Sequence, residues 1–353
     1  MTKEPFVSII ILNYNGREFL EGCLGSVLKT DYRNFEVIFV DNGSTDGSVE
    51  YIEKRFGNDP RLKIIRNERN LGFSGGNNVG IRHAKGEYIV LLNNDTIVEP
   101  DWLRKLVDVM EVRRDIGIAQ PAILFLDTKK IQTLGNLVDK LLMLVKPLGY
   151  DRTFPGKMPR ILKVTFPLGA CLIIRRETLR KVGLFDEKFL IYHDDMYWGF
   201  LCWLAGYKAA TILGARIYHK GRATISKFKR GERIYYDTIS RVAMIIKTER
   251  ARVLLFRLLL FIMLWTVYIF LKSVREKAPR YVKRLVDGYI WSLKNIAYVL
   301  TQRKLIRRRI GELRHRVLAS VLLPNPIVFE RIERRILSKI NRLATQLDKI
   351  NFS

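Results

Sequence analysis

Cysteine is scarce in this chain. Three residues among 353, Cys23, Cys171 and Cys202, stand far apart and form no CxxC pair, which leaves no basis for a disulfide framework or a thiolate zinc cluster. A reducing, cytosolic compartment is expected. A signal peptide is not expected either: the apolar run FVSIIIL (6–12) has seven residues with no small-residue cleavage site behind it, which argues for a buried strand. The GxGxxG and GxxxxGK[ST] spacings are absent, so dinucleotide-binding and P-loop readings are weak. No uncharged apolar run reaches the roughly 20 residues that span a bilayer. The longest apolar stretch, VLLFRLLLFIMLWTVYIFL (253–271), is interrupted by Arg257, which leaves 14 uncharged residues from Leu258 to Leu271.

Acidic residues are scarce in one half only. Residues 222–353 hold 30 Lys+Arg against 9 Asp+Glu, a net +21 out of the chain's +27. That asymmetry marks a boundary between an ordinary soluble front half and a back half suited to a polyanionic surface, either nucleic acid or anionic lipid. With 48% hydrophobic and 27% charged residues the chain has the composition of a folded protein.

The front half alternates short apolar runs, 6–12, 35–40, 62–67 and 88–93, with stretches of helical character at 17–29, 46–56 and 76–85. This βαβ rhythm predicts a mostly parallel, doubly wound, Rossmann-like α/β sheet. Ligands of such sheets sit beyond the carboxyl ends of the strands. Here the run tails are NYNG, DNGSTDGS, NERNLGFSGGNN and NNDT, four polar loops expected to converge on one crevice. A carboxylate among amides at a strand end can hold a hard divalent cation that takes its remaining oxygens from water and a diphosphate, which singles out Asp95. Gly72, Gly75 and Gly76 would let backbone approach a nucleotide closely.

The segments VSIIILNYNG, VDNGSTDGS, RNLGFSGGNNVGIRHAKGEYIVLLNNDT, GLFDEKFLIYHDDMYWGFLCWLAGY and IYHKG, in this order over residues 6–225, resemble the successive signatures of family 2 glycosyltransferases, particularly the rhamnosyltransferase-like branch. The resemblance implies a GT-A catalytic domain at 1–225 that binds a nucleotide-diphosphate sugar over the strand ends. By similarity, Asn13 and Asp41 contact the base and ribose, and Asn15, Asn70, Gly72, Phe73, Asn77, Asn78, Asn93 and Asn94 complete the nucleotide-sugar pocket. Asn93-Asn94-Asp95 corresponds to the family's DxD motif with Asn93 at the first acidic position. Asp95 and His219 are the implied ligands of a divalent cation, Mg2+ or Mn2+. Asp194 and Asp195 in YHDDMYW correspond to the family's Glu-Asp pair, with Asp195 the expected general base. Two adjacent carboxylates, one raised in pKa by the other, suit removal of a proton from an acceptor hydroxyl. Tyr197 and Leu201 stand where relatives often carry Asp and Arg. Gly169 and Ala170 fall near the acceptor side, small enough for a sugar to pass, although tight packing explains them equally well.

Displacement at an anomeric carbon passes through an oxocarbenium-like state, which needs a neutralised leaving diphosphate and a base on the opposite face. One base without a second nucleophilic carboxylate predicts single displacement with inversion. The QxxRW mark of processive synthases is absent, so one sugar per binding event is expected. Each motif alone has a plainer explanation: DNGSTDG as an Asx turn with a helix cap at Ser44 or Thr45, Asp95 as a cap for the following helix, Asp194-Asp195 as a solvated helix start, and His219 as an ordinary strand-end histidine. His83, His193 and His315 show no ligand spacing and read as structural. Residues 127–165 read as a loop-rich insertion, and 166–189 as a strand, a helix begun near Glu177 and a turn.

Residues 226–353 read as a basic, membrane-associated helical region. The apolar helix at 253–271 has Lys and Arg on both flanks, which fits an interfacial or re-entrant helix better than a single crossing. At 281–300, Val282, Leu285, Val286, Tyr289, Leu293, Ile296 and Leu300 recur at the spacing of an amphipathic surface helix, and QRKLIRRRIGELRHR adds attraction to anionic headgroups. The expected partners are a nucleotide-diphosphate sugar donor, a lipid-linked or glycan acceptor and an anionic membrane surface, with the protein at the cytoplasmic face of the membrane. The same helices could instead pair two copies into a homodimer. Other classes are a non-catalytic sugar-nucleotide binder and a nucleic-acid-binding protein, the latter lacking any RNP, zinc-finger or helix-turn-helix signature.

Overall fold

The structure is a computed structural model that describes residues 4–154, 160–188, 193–221, 231–311, 313–320 and 322–323. The basic stretch beyond 323 and part of the 127–165 insertion lie outside the described residues. Strands β1 (Val7–Asn13), β2 (Phe35–Asp41), β3 (Leu62–Arg66) and β4 (Tyr88–Asn93) alternate with helices α1 (Arg17–Leu28), α2 (Ser48–Phe56) and α3 (Gly72–His83). After β5 (Thr96–Val98) and α4 (Trp102–Val112) comes the long β6 (Ile116–Phe125). The insertion then supplies β7 (Ile131–Thr133), β8 (Asn136–Asp139), β9 (Val145–Pro147) and β10 (Ile161–Lys163). Next are β11 (Cys171–Arg175), α5 (Arg176–Val182), α6 (Asp194–Leu204) and β12 (Lys208–His219).

All of these strands except β8 and β9 form one mixed sheet in the order β10-β12-β6-β11-β4-β1-β2-β3, with β5 on β12 and β7 on β6. β1 is parallel to β2 and β4, and β2 to β3, as the βαβ rhythm requires. β11 runs antiparallel between β4 and β6. Side chains alternate across β1: Val7, Ile9 and Ile11 enter a core with Leu20, Leu24 and Val27 of α1 and Trp102 and Leu106 of α4, while Ile10 faces the opposite core with Ile81 of α3. Both faces are therefore covered, and β1 is a continuous apolar run. The three cysteines are buried and free.

Two expectations change on the α3 side. The helix starts at Gly72, four residues before the periodic apolar pattern begins, so the glycine-rich segment is helix and not an open nucleotide loop. Its glycines serve the sheet: a Cβ on Gly80 would stand 2.5 Å from Cγ2 of Ile10, and one on Gly76 would run into the Leu12 side chain. The insertion is also more ordered than a loop. β8 and β9 form a hairpin that β13 (Leu322–Leu323) extends.

The carboxyl-terminal helices share the core of the α3 face. α7 (Glu232–Thr248) is buried from Asp237 to Thr248, which a helix sandwiched by others requires. α8 (Ala251–Arg275) lies along it, with Phe261, Trp265, Ile269 and Ser273 turned inward and Trp265 donating to Oγ1 of Thr238 at 2.9 Å. The predicted amphipathic helix at 281–300 is two helices, α9 (Arg280–Lys294) and α10 (Ile296–Ile310), broken at Asn295, whose side chain donates to the Trp291 carbonyl and so competes with the helix ladder. Gly288 of α9 permits the close crossing on α7, since a Cβ there would meet Thr238 Cβ at 2.8 Å. A short α11 (His315–Ala319) follows. Among the described residues, α8 is the one helix long and apolar enough to cross a membrane.

Candidate active site

Parallel pairing sets the carboxyl ends of the first strands side by side: Asn13 opposite Asp41, and Leu12 opposite Asn93. The amide of Asn13 is fully buried. It donates to Oδ1 of Asp41 and to Oγ of Ser44, each at 3.1 Å, and accepts Nδ2 of Asn94 at 2.7 Å. Ser44 Oγ also receives the Asn15 backbone N–H, and Asn15 Oδ1 that of Thr45. Ser44 thus ties two strand tails together, whereas α2 starts at Ser48 after Gly47 with no side-chain cap. Gly16 is required at this junction, because a Cβ would collide with the amide of Asn94.

The fourth strand tail brings in the acidic group. β4 ends at Asn93, a two-residue turn follows, and β5 pairs with β12 so that Thr96 lies opposite His219. The pairing sets Nε2 of His219 3.0 Å from Oδ1 of Asp95 and 3.4 Å from the Asn93 amide. Both side chains are about nine-tenths buried. Burial pushes the Asp95 carboxyl up, but the His219 hydrogen bond and charge, together with the backbone N–H groups of Asp95 and Gly221, leave the group below its ordinary value. Asp95 therefore caps no helix: α4 begins seven residues later. Gln132 holds His219 from behind, with Oε1 2.8 Å from Nδ1, the outer partner that aims an imidazole at an inner ligand. One carboxylate, one imidazole and a neighbouring amide fit a divalent cation of mixed oxygen and nitrogen preference. Among the described residues no cluster of three or more His, Cys, Asp or Glu side chains could hold a metal by itself, so a diphosphate and water would complete such a shell.

A second acidic group faces the same edge. Asp194 and Asp195 open α6, and they are not solvated. Burial raises the pKa of both, Asp194 well above the carboxylate range, with the charge of Asp195 a smaller contribution than desolvation or the hydrogen bond from Ser74. Asp195 Oδ2 accepts the Gly169 N–H at 2.9 Å and Oδ1 the Met196 N–H at 2.8 Å. The adjacent Ala170 carbonyl accepts the Asn93 N–H at 2.9 Å. The 169–170 segment therefore stands between the two acidic groups, and buried Gln120 fixes it by accepting the Leu168 N–H at 2.6 Å.

At Gly169 an added Cβ would be 3.4 Å from the Phe73 ring and 3.5 Å from Oδ2 of Asp195, ordinary contact distances. Protein packing does not demand glycine here, which favours space kept for a ligand. Gly169→Ala is expected to leave the melt unchanged or raise stability by about 0.4–1 kcal/mol through the unfolded chain, while lowering kcat/KM. A denaturation curve beside steady-state kinetics checks both.

Not every residue expected in the pocket points there. Asn78 is engaged with the 185–187 segment, donating to the Phe185 carbonyl and Glu187 and accepting the Phe185 N–H. Asn77 donates to the Phe73 carbonyl of its own helix. Asn70 accepts from Asn42 and from the Gly72 N–H, closing the β3–α3 loop. Leu201 is core, and the Tyr197 ring lies 4.9 Å from the Lys247 ammonium, so the Tyr197 departure from the family pattern meets α7. His193 binds Asp237 at 2.8 Å, His83 the Val79 carbonyl and His315 the Thr248 carbonyl, all structural partners. Gln132, Ser74 and Gln120 were not singled out in the sequence. Only Gln120 carries a signal there, a polar residue inside the apolar run of β6.

Residues 8–183 match the model of "Glycosyl transferase family 2". An uncharacterized glycosyltransferase of Haemophilus influenzae is 35% identical over 107 residues, 30% of this chain and 33% of that one, so the chain spans a third of that relative's length. Among solved structures, GalNAc-T7 with UDP, GalNAc and Mn2+ superposes at a TM-score of 0.58 with 19% identity, covering 85% of this chain and 58% of the other. S. aureus TarS 1-349 in complex with UDP-GlcNAc superposes at 0.57 with 17% identity, covering 90% and 89%. These likenesses show a GT-A fold. Residues 8–183 thus form a glycosyl transferase family 2 domain.

Proposed function

We propose that the protein transfers a sugar from a nucleotide-diphosphate sugar to a hydroxyl of a membrane-associated acceptor, one sugar per encounter and with inversion. The observation that carries this reading is the 169–170 segment standing between Asp95–His219 on one side and Asp195 on the other. Asn13, Asp41 and their bonded neighbours receive the nucleoside. Asp95 and His219 would hold a divalent cation, which would supply neutralisation of the leaving diphosphate; the solved structures with Mn2+ and UDP and with UDP-GlcNAc support a donor and a cation of this kind. Asp195 takes the proton of the acceptor hydroxyl, and Asp194, bonded to Ser74, positions the start of α6. Phe73 and Gly169 border the space the sugar occupies. Proton NMR of the product tests the stereochemistry: an α-linked donor gives a β-linked product, and a retained α linkage overturns single displacement.

The carboxyl-terminal helices support the membrane part. α8 is held along one side by α7 and α9, while Leu255, Phe256, Leu259, Met263 and Phe270 on its other side are more than half exposed. Arg257, its one charge within the apolar run, donates to the Lys140 and Leu141 carbonyls of the catalytic half. A helix tied down in this way lies in one leaflet with its free face in the acyl region, and so the acceptor is a lipid-linked glycan. Leu255→Glu and Phe256→Glu are each expected to weaken vesicle binding by about tenfold or more with an unchanged melt, measured by co-sedimentation. The apolar face beside the charge favours lipid over nucleic acid as the partner.

A further inference from the structure

A cleft of about 440 Å³ opens between the α7–α8 turn and the carboxyl end of α10, lined by Arg250, Ala251, Arg252, Arg307, Gly311 and His315 together with Leu313. It is separate from the sugar-nucleotide crevice. The Arg314 N–H donates to the Leu204 carbonyl at the carboxyl end of α6, whereas Asp195 sits at the amino end, on the order of 14 Å away along the helix axis.

The lining is cationic and held in place. Among the described residues no carboxylate lines the cleft; Glu249, the residue before it, accepts the Arg250 backbone N–H at 3.0 Å. Glu312 lies outside the described residues. Arg307 reaches the Glu249 carbonyl at 3.5 Å, and its Nε is buried without a partner. His315 is fixed as a wall by carbonyls on both ring nitrogens, Leu313 at 3.0 Å and Thr248 at 2.9 Å. The amino end of α8, uncapped by any side chain, contributes its positive dipole end at the same place.

The cleft also borders the apolar face. One turn further along α8, Leu255 and Phe256 are 70% and 71% exposed. We propose that this cleft binds the phosphate group of an anionic membrane lipid, whose acyl chains lie along the exposed side of α8. The assignment rests on the membrane association argued above and gives it a specific headgroup site. Arg250 and Arg252 flank the phosphate, Arg307 closes it from α10, and the bound lipid fixes the depth at which the catalytic half meets its acceptor.

The test uses the full chain, wild type and R250Q/R252Q, with K272Q/K283Q as a control that removes the same charge elsewhere on the helices. Binding is read by co-sedimentation with phosphatidylcholine vesicles with and without 30 mol% phosphatidylglycerol, and by thermal stabilisation with dihexanoyl-phosphatidylglycerol and, separately, inorganic phosphate. Each basic residue near an anionic surface contributes about 1 kcal/mol, or roughly fivefold. The expected result is a loss of about 25-fold or more in binding to the anionic vesicles for R250Q/R252Q, with saturable stabilisation by the short-chain lipid abolished in that variant and kept in the control. Equal weakening by both variants, or no saturable stabilisation of the wild type, overturns the site while leaving membrane association standing. Stabilisation by inorganic phosphate as strong as by the lipid overturns the lipid assignment. Failure of the wild type to bind either vesicle overturns the membrane reading itself.

Discussion

Asp195→Asn lowers turnover by about two to four orders of magnitude, the contribution of a positioned general base, and leaves donor binding unchanged. The substitution keeps the shape but only one acceptor oxygen, so one of the Gly169 and Met196 N–H groups that hold the two carboxylate oxygens loses its partner, and a melting curve beside the kinetics separates that structural cost from loss of the base. Isothermal titration with the donor and single-turnover kinetics separate the two readouts; full turnover in the variant would remove Asp195 from the chemistry. The wild-type pH profile carries a second signature. A base acts when ionised, and burial raises the Asp195 pKa, so the acid limb of kcat/KM falls at a pH above the ordinary carboxylate value of about 4.

Lys247→Met costs about 3–5 kcal/mol of stability. Lys247 of α7 is 1% exposed and bonded to Asp186, itself 6% exposed, just after α5. Asp186 also accepts Tyr298 Oη of α10 at 2.6 Å. Burial lowers the Lys247 pKa, opposed by the charge of Asp186, the pattern of a pair whose members each depend on the other. Removing the ammonium leaves a buried carboxylate with only neutral donors, Tyr298 Oη and the Lys188 N–H, and uncompensated buried charge is what makes such breaks expensive. The double variant Lys247→Met, Asp186→Asn should recover much of the loss, because no charge then remains unpaired. Urea denaturation of the single and double variants measures the coupling. A single-variant cost below about 1 kcal/mol would mean that the carboxyl-terminal helices are not joined to the catalytic half through this contact.

Much of the sheet was legible because period and burial agree: β1 to β4 fall within a residue or two of the apolar runs, with β1, β2 and β4 buried on both faces and β3 half-buried at the sheet edge. The start of α3 was hidden, since glycine is a poor helix former and Gly72 to Gly76 carry no apolar rhythm. Packing on Leu12 and Ile10 overrides that propensity. Three-residue strands such as β7 and β10 have too little period to read, and the break at Asn295 comes from one side-chain bond to the Trp291 carbonyl.

The site was legible in its strand tails and not in its supports. Asp95 and His219 stand 124 positions apart in the numbering, yet the ordered family motifs bring both to mind, and the β5–β12 register explains their meeting. Gln132, 87 residues from His219, comes from the insertion and has no local mark. Asn77 and Asn78 were read by adjacency to the motif, but a helix turns successive side chains about 100° apart, and Asn78 faces the 185–187 segment instead.

The most direct measurement is the thermal stabilisation of the detergent-solubilised protein by UDP, GDP and dTDP, each with Mn2+, with Mg2+ and with EDTA, alongside Asp95→Ala. The account predicts that one diphosphate with a divalent cation stabilises the wild type by about 2.7 kcal/mol at a hundredfold excess over its dissociation constant, and that EDTA or Asp95→Ala abolishes the shift. No shift with any nucleotide, or a shift indifferent to both metal and Asp95, would contradict it.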